Sequence, residues 1–101
     1  MGYNYILLSA AQEEYESSIS WYLERSVVVA EQFIDAVDHT LSLICEHPYR
    51  WRNEYANFYE ITIRKYPYSI IYTINDTKGL ILVAAIHHHN RNPNRKYRTK
   101  R

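Results

Sequence analysis

The spacing of apolar positions changes three times along this chain. Residues 3–8 alternate loosely and are rich in Tyr, Ile and Leu, which predicts a first strand. Ala11, Tyr15, Ile19 and Tyr22 then fall four, four and three residues apart, one stripe of a helix over residues 10–25. Ser9 is placed to cap it, Gln12 to complete a capping box, and Glu13, Glu14 and Glu16 to suit the positive end of the helix dipole. Ala30, Phe33, Val37, Leu41 and Ile44 repeat at three or four residues, predicting a second helix that starts after a Ser26 cap. Pro48 stops it, because proline disfavours helical geometry in the residue before it. Two helices with almost no connector form a helical hairpin.

Residues 49–57 show no period and read as a loop. From Phe58 the period becomes two. Tyr59, Ile61 and Ile63 point one way, and Phe58, Glu60, Thr62 and Arg64 the other. Tyr66-Pro67-Tyr68 reads as a turn or bulge, since proline cannot donate to a central ladder. Residues 69–75 alternate again, and residues 75–79 end in Gly79 as a hairpin loop. Leu80-Ile81-Leu82-Val83-Ala84-Ala85-Ile86 follows without alternation. Such a run predicts a strand buried on both faces, in the middle of a sheet. The pattern is α+β: β-α-α-β-β-β, a helical hairpin packed on a mainly antiparallel four-stranded sheet.

Composition adds boundaries. The 101 residues suit a single domain, residues 1–101, that closes one core and carries a basic tail from about residue 90. The longest apolar run falls far short of the ~20 residues a membrane span needs. The N-terminus has neither the basic segment nor the apolar core of a signal peptide, and Ile6 stands where a myristoylation motif wants Ser or Thr. One cysteine, Cys45, excludes an internal disulfide and fits a small buried hydrophobe. These features predict a cytoplasmic protein without membrane contact.

The net charge of +1 conceals two opposed halves. Residues 1–46 hold eight acidic side chains against Arg25 alone, and residues 47–101 hold eleven basic ones against Glu54, Glu60 and Asp76. The acidic helix faces read as solvated surface rather than a catalytic carboxylate pair. The basic half predicts attraction to nucleic acid or to an acidic protein.

Candidate chemistry gathers after the apolar run. On a strand, His87 and His89 share one face, while His88 points with Ile86 and Ala84. Two imidazoles without a nearby cysteine or well-spaced carboxylate do not make a closed metal site, so neither metal nor cofactor is expected. A hydrogen-bonding or acid–base role suits one histidine, and plain surface placement the others. In the meander the first and third strands run the same way, so Arg64 and Arg91 should reach one edge of the sheet. With Arg95, Lys96, Arg98, Lys100, Arg101 and the polar-flanked Tyr97, they suit a phosphate with a stacked base, or an acidic protein surface. Trp51 and the other tyrosines suit core or half-buried surface.

Four segments carry a resemblance. They are Ala30-Glu31-Gln32-Phe33, the helix-ending Pro48, Tyr66-Pro67-Tyr68-Ser69-Ile70-Ile71-Tyr72, and Ala85-Ile86-His87-His88-His89-Asn90-Arg91-Asn92-Pro93. In this order they resemble the RelE/ParE superfamily of bacterial type II toxin–antitoxin toxins over nearly the whole chain. The resemblance implies a small toxin neutralised by a cognate antitoxin, with an acidic antitoxin segment and a higher-order toxin–antitoxin complex as further expectations. Superfamily members either inhibit DNA gyrase, as ParE-like toxins do, or cut mRNA on the ribosome, as RelE-like toxins do.

The resemblance favours the ParE-like branch. Positions that carry cations in RelE-like nucleases align with Glu60, Thr62 and Ser69, an acid and two hydroxyl residues. Without those cations most of the charge that would stabilise a phosphorane transition state is missing. Arg91 and Tyr97 do match, and a C-terminal histidine, His88 or His89, keeps the alternative of a ribosome-dependent mRNA endonuclease. In that mechanism a ribose 2′-hydroxyl attacks the adjacent phosphate, Tyr97 or His88 serves as base or acid, and Arg64 and Arg91 hold the phosphate. In the ParE-like reading Arg64, Arg91, Arg95, Lys96, Arg98, Lys100 and Arg101 form the surface that meets target or antitoxin. A third reading is a degenerate member that binds its antitoxin without toxicity.

Overall fold

A computed structural model describes residues 2–90. The order is β1 (Asn4–Leu7), α1 (Ser9–Leu23), α2 (Val27–Glu46), β2 (Arg52–Tyr55), β3 (Phe58–Thr62), β4 (Tyr68–Asn75) and β5 (Leu80–His88). The strands form one sheet in the order β1-β5-β4-β3-β2. β1 pairs parallel to β5, and every other neighbour is antiparallel. The apolar run therefore is the inner strand its composition predicts, and the α+β hairpin-on-sheet architecture holds.

The sheet has five strands rather than four, because residues 52–55 form β2. Arg52-Asn53-Glu54-Tyr55 carries no apolar alternation. It is a short, charged edge strand, the kind that resists pairing with other chains. It turns into β3 through Ala56 and Asn57, with Ala56 at φ 51°, and the Asn53 amide donates to the carbonyls of Ala56 and Phe58 at 3.0 Å each. Ser9 is not the cap of α1. Leu8 occupies that position without a side-chain bond, and the Gln12 amide donates to Glu16 at 2.7 Å instead of closing a capping box. Ser26 does cap α2, its hydroxyl accepting the Val29 N–H at 3.2 Å.

Between the helices and the sheet lies one core. Phe33, fully buried, touches the rings of Tyr15, Tyr22, Tyr66 and Tyr68, with centroids 4.9 to 6.2 Å away. Val37, Leu41 and Ile44 of α2 continue that stripe against Ile63, Ile70, Tyr72, Ile81, Val83 and Ile86. The other face of the sheet carries a smaller cluster, Phe58, Ile71, Ala84 and Ala85. Ala84 was expected to point with Ile86 and does not. The β4–β5 register shifts at this point, Tyr72 pairing with Val83 and Ile71 with Ala85, so Ala84 is the extra residue of a bulge. Glu14 also departs from expectation: it is 5% exposed, inside the α1 stripe rather than on its solvated face.

Two polar ties fasten the far end. The Tyr72 hydroxyl donates to the Pro48 carbonyl at 2.6 Å, holding the exit of α2 to the sheet. In the β4–β5 loop, Asp76 accepts from the Tyr3 hydroxyl at 2.7 Å and from the Tyr49 hydroxyl. These bonds hold the Asp76 carboxyl below the usual carboxylate range, push Tyr49 up to about 12 and raise Tyr3 as well.

Truncating Phe33 to Ala should cost about 3–5 kcal/mol in urea unfolding, the range for a buried aromatic whose cavity cannot collapse; a loss below about 1 kcal/mol would contradict the packing described. The Asp76 clip should show in pH dependence. Its folded pKa is lowered, so its stabilisation is present above the unfolded carboxylate pKa and disappears as pH falls through the folded one. Asp76→Asn should therefore have a lower urea midpoint than the parent near about pH 7, and the two should converge in acid. The raised tyrosines work in reverse, contributing below about 10 and losing that contribution as pH climbs through about 12 for Tyr49.

Candidate functional site

β3 and β5 run in the same direction on either side of β4, so their C-terminal ends reach one rim. The register makes this concrete: Thr62 pairs with Ser69, Ser69 with His87, and Tyr68 with His88. The turn from β3 to β4 lies on the same rim. Ile63 N–H bonds to the Tyr68 carbonyl at 2.9 Å, Tyr66 N–H to Ile63 at 3.1 Å, and Lys65 takes φ 74° at the bend. The Pro67 carbonyl accepts the His89 N–H at 2.9 Å, so the exit of β5 is tied to that turn. Arg64, exposed in the turn, thus lies on the edge where β5 ends. Arg91, Arg95, Lys96, Tyr97, Arg98, Lys100 and Arg101 lie outside the described residues.

The rim has two sides. Away from the helices, Thr62 Oγ1 and Ser69 Oγ lie 3.4 Å apart, and Ser69 Oγ is 3.0 Å from His89 Nε2. His87 is buried on this side, with 2% exposure, and Glu60 stands opposite Arg52 in the register. The three positions Glu60, Thr62 and Ser69 therefore adjoin one another, and two of them are engaged in a hydroxyl–imidazole chain.

Arg64 and His88 border recesses among the helices. His88 shares a cavity of about 300 Å³ with Ser17, Ser18, Trp21, Tyr22, Pro67 and Tyr68. Its ring stands edge-on to Tyr68 at 4.9 Å, and its Nδ1 accepts the Asn90 N–H at 3.1 Å, which places the proton of the neutral ring on Nε2. Arg64 borders a separate recess with Gln32, Asp35, Ala36, Lys65 and Tyr66. The two recesses have no lining residue in common, and Tyr22 of one meets Tyr66 of the other edge-on at 5.9 Å. Two residues predicted to serve one phosphate are on one rim but in different recesses.

The split of the three histidines follows the expected alternation, His87 and His89 on one face and His88 on the other. Among the described residues, no group of three or more His, Cys, Asp or Glu could hold a metal ion. No helix among them is long and apolar enough to cross a membrane.

Sequence reasoning missed Glu14 and the cavity beside His88. A signal for Glu14 was available: it lies three residues after Ala11 and four before Ser18, both buried, so helical spacing puts it on the inward stripe. Its Oε1 accepts the Ile86 N–H at 2.8 Å. The cavity had no such signal, because its walls come from α1, the β3–β4 turn and β5.

Comparisons with known proteins agree with this architecture. The isolated E. coli RelE toxin is 19% identical, over 90% of this chain and 88% of that one, with a TM-score of 0.61. The E. coli RelBE toxin–antitoxin complex gives 20% identity over 88% of this chain and 99% of that chain, with a TM-score of 0.61. The RelBE2 toxin–antitoxin complex of Mycobacterium tuberculosis gives 15% identity over 87% and 99%, with a TM-score of 0.57. At these identities the likeness establishes the fold. A search of curated protein sequences finds no match. The family described as the ParE toxin of the type II toxin–antitoxin system, parDE, matches residues 5–93. The match spans most of the chain, from β1 past the end of β5, and the protein therefore belongs to the ParE toxin family of the RelE/ParE superfamily.

Proposed function

We propose that this toxin acts in the cytoplasm as a ParE-like inhibitor that binds its target, DNA gyrase, as a protein partner, and that a cognate antitoxin neutralises it. One observation carries the choice of branch. Arg64 and His88 border separate recesses. The resemblance to RelE-like nucleases adds that their cation positions fall on Glu60, Thr62 and Ser69 here. A phosphate clamp needs converging cations around one oxygen set. A protein surface needs only charge spread along a contact edge, which steers association and fixes register.

The antitoxin is expected to present an acidic segment to the rim, with Arg64, Arg91, Arg95, Lys96, Arg98, Lys100 and Arg101 as its counterpart. Two of the similar solved structures are toxin–antitoxin complexes, which supports a partner of this kind and a higher-order assembly. The alternative, a ribosome-dependent mRNA endonuclease, draws on the RelE likeness and on His88 with its donor Nε2 at the rim. In it Arg64 and Arg91 hold the scissile phosphate, and Tyr97 or His88 moves the proton. No step in either reading calls for a cofactor.

Purified protein should block gyrase supercoiling and leave ribosome-bound message intact, with Arg64→Glu weakening inhibition about tenfold through like-charge contact. Cleavage of ribosome-bound message, abolished by Arg91→Ala, would overturn this assignment. Loss of growth on expression without antitoxin is expected too, and unimpaired growth would leave only the non-toxic reading. Antitoxin affinity should fall as salt rises from about 50 to 500 mM, since exposed charges are screened within about 10 Å. In a double-mutant cycle on gyrase inhibition, Arg64→Ala and His88→Ala should add within about 0.5 kcal/mol, as independent contacts do. Strong coupling would instead point to a shared phosphate.

A further inference from the structure

β5 has a strand on its outer side for only part of its length. β1 pairs with it from Asn4 opposite Leu80 to Leu7 opposite Val83, and the Leu8 N–H closes the ladder on the Val83 carbonyl at 2.9 Å. The chain then turns into α1. Past that point, among the described residues, no strand lies beside the outward Ile86 N–H of β5, yet Ile86 is fully buried. A buried amide left unpaired is costly, so the end of β5 would be a weak place in the sheet.

Glu14 fills the gap. It is held in the inward stripe of α1 between Ala11 and Ser18, and the Ser18 hydroxyl bonds back to the Glu14 carbonyl at 2.8 Å. Its Oε1 meets the Ile86 N–H at 2.8 Å, a side chain doing for β5 what a strand carbonyl would do. The contact sits one residue before His87 and two before His88. It also ties together two walls of the cavity beside His88, since Ser17, Ser18, Trp21 and Tyr22 come from α1 and His88 from β5.

We propose that Glu14 is a positioning residue: a buried carboxylate on α1 that replaces the missing strand beside β5 and sets where its histidine-bearing end leaves the sheet. The claim about geometry stands apart from the choice of target. The claim that the rim depends on it rests on the toxin reading above.

The test compares Glu14→Leu, which keeps volume but has no acceptor, with Glu14→Gln, which keeps an oxygen at the same place. In Glu14→Leu, hydrogen exchange at the Ile86 amide should quicken about ten- to a hundredfold while amides of β3 and β4 keep their protection. Glu14→Gln should stay within about threefold of the parent. Unchanged exchange at Ile86, or equal loss in both variants, would overturn the proposal. If Glu14→Leu does not fold, the parent protein decides. A through-hydrogen-bond coupling between the Ile86 amide nitrogen and the Glu14 carboxyl carbon is expected, and its absence refutes the contact. Growth inhibition then separates positioning from simple loss of stability. Glu14→Leu should lose toxicity, while Val37→Ala, a core truncation in α2, keeps it when both are assayed at matched fractions folded. Equal toxicity of the two would overturn the positioning role. A parent that never inhibits growth would instead defeat the toxin reading and leave the exchange result to decide the contact.

Discussion

The pairing of β4 with β5 is the constraint on which the rest of the molecule depends. Eight cross-strand pairs run from Asn75 opposite Leu80 to Tyr68 opposite His88. β5 is nearly dry along both faces: Ile81, Val83 and Ile86 meet the helices, while Ala84 and Ala85 pack on the other side. Such a strand cannot slide by one residue without turning its histidines over and burying different side chains. His89 therefore leaves the sheet at a fixed place, its N–H tied to the Pro67 carbonyl at 2.9 Å. The bulge at Ala84 belongs to this design, because it resets the alternation just before His87, His88 and His89.

That constraint explains why much of the fold was legible in the residues. Helical spacing in α2 needs only Phe33, Val37, Leu41 and Ile44 to declare its buried face, and Ser26 and Pro48 bound it by local backbone chemistry. The direction of β3 relative to β5 followed from two short turns, so the shared rim was legible too. β2 was not, because an edge strand of charged and polar residues has no period to read. The Ala84 bulge was hidden in an apolar run, where a register shift changes no visible pattern. Ser9 has the chemistry of a cap, but the turn out of β1 places Leu8 there instead.

The site was less legible than the fold, for a related reason. Spacing along one strand separates His88 from His87 and His89. It does not say that His88 faces Trp21 and Tyr22 of α1, or that Ser69 lies between Thr62 and His89. Those contacts join residues from seven to nearly seventy positions apart, and the longest of them depend on how the hairpin lies across the sheet. Glu14 is the clearest case. By residue type it belongs to an acidic, solvated face, and by spacing to the buried stripe; the open edge of β5 decides between them.

In the function proposed above, the toxin meets its partners along an edge rather than through a pocket that concentrates charge. The central claim is that the working surface is the rim where β3 and β5 end. A hydrogen-exchange footprint of the toxin bound to its antitoxin tests this most directly. Protection is predicted over residues 62–69 and 87–101. Protection confined to β1 and the outer face of the helical hairpin, with the rim exchanging as in the free protein, would contradict it.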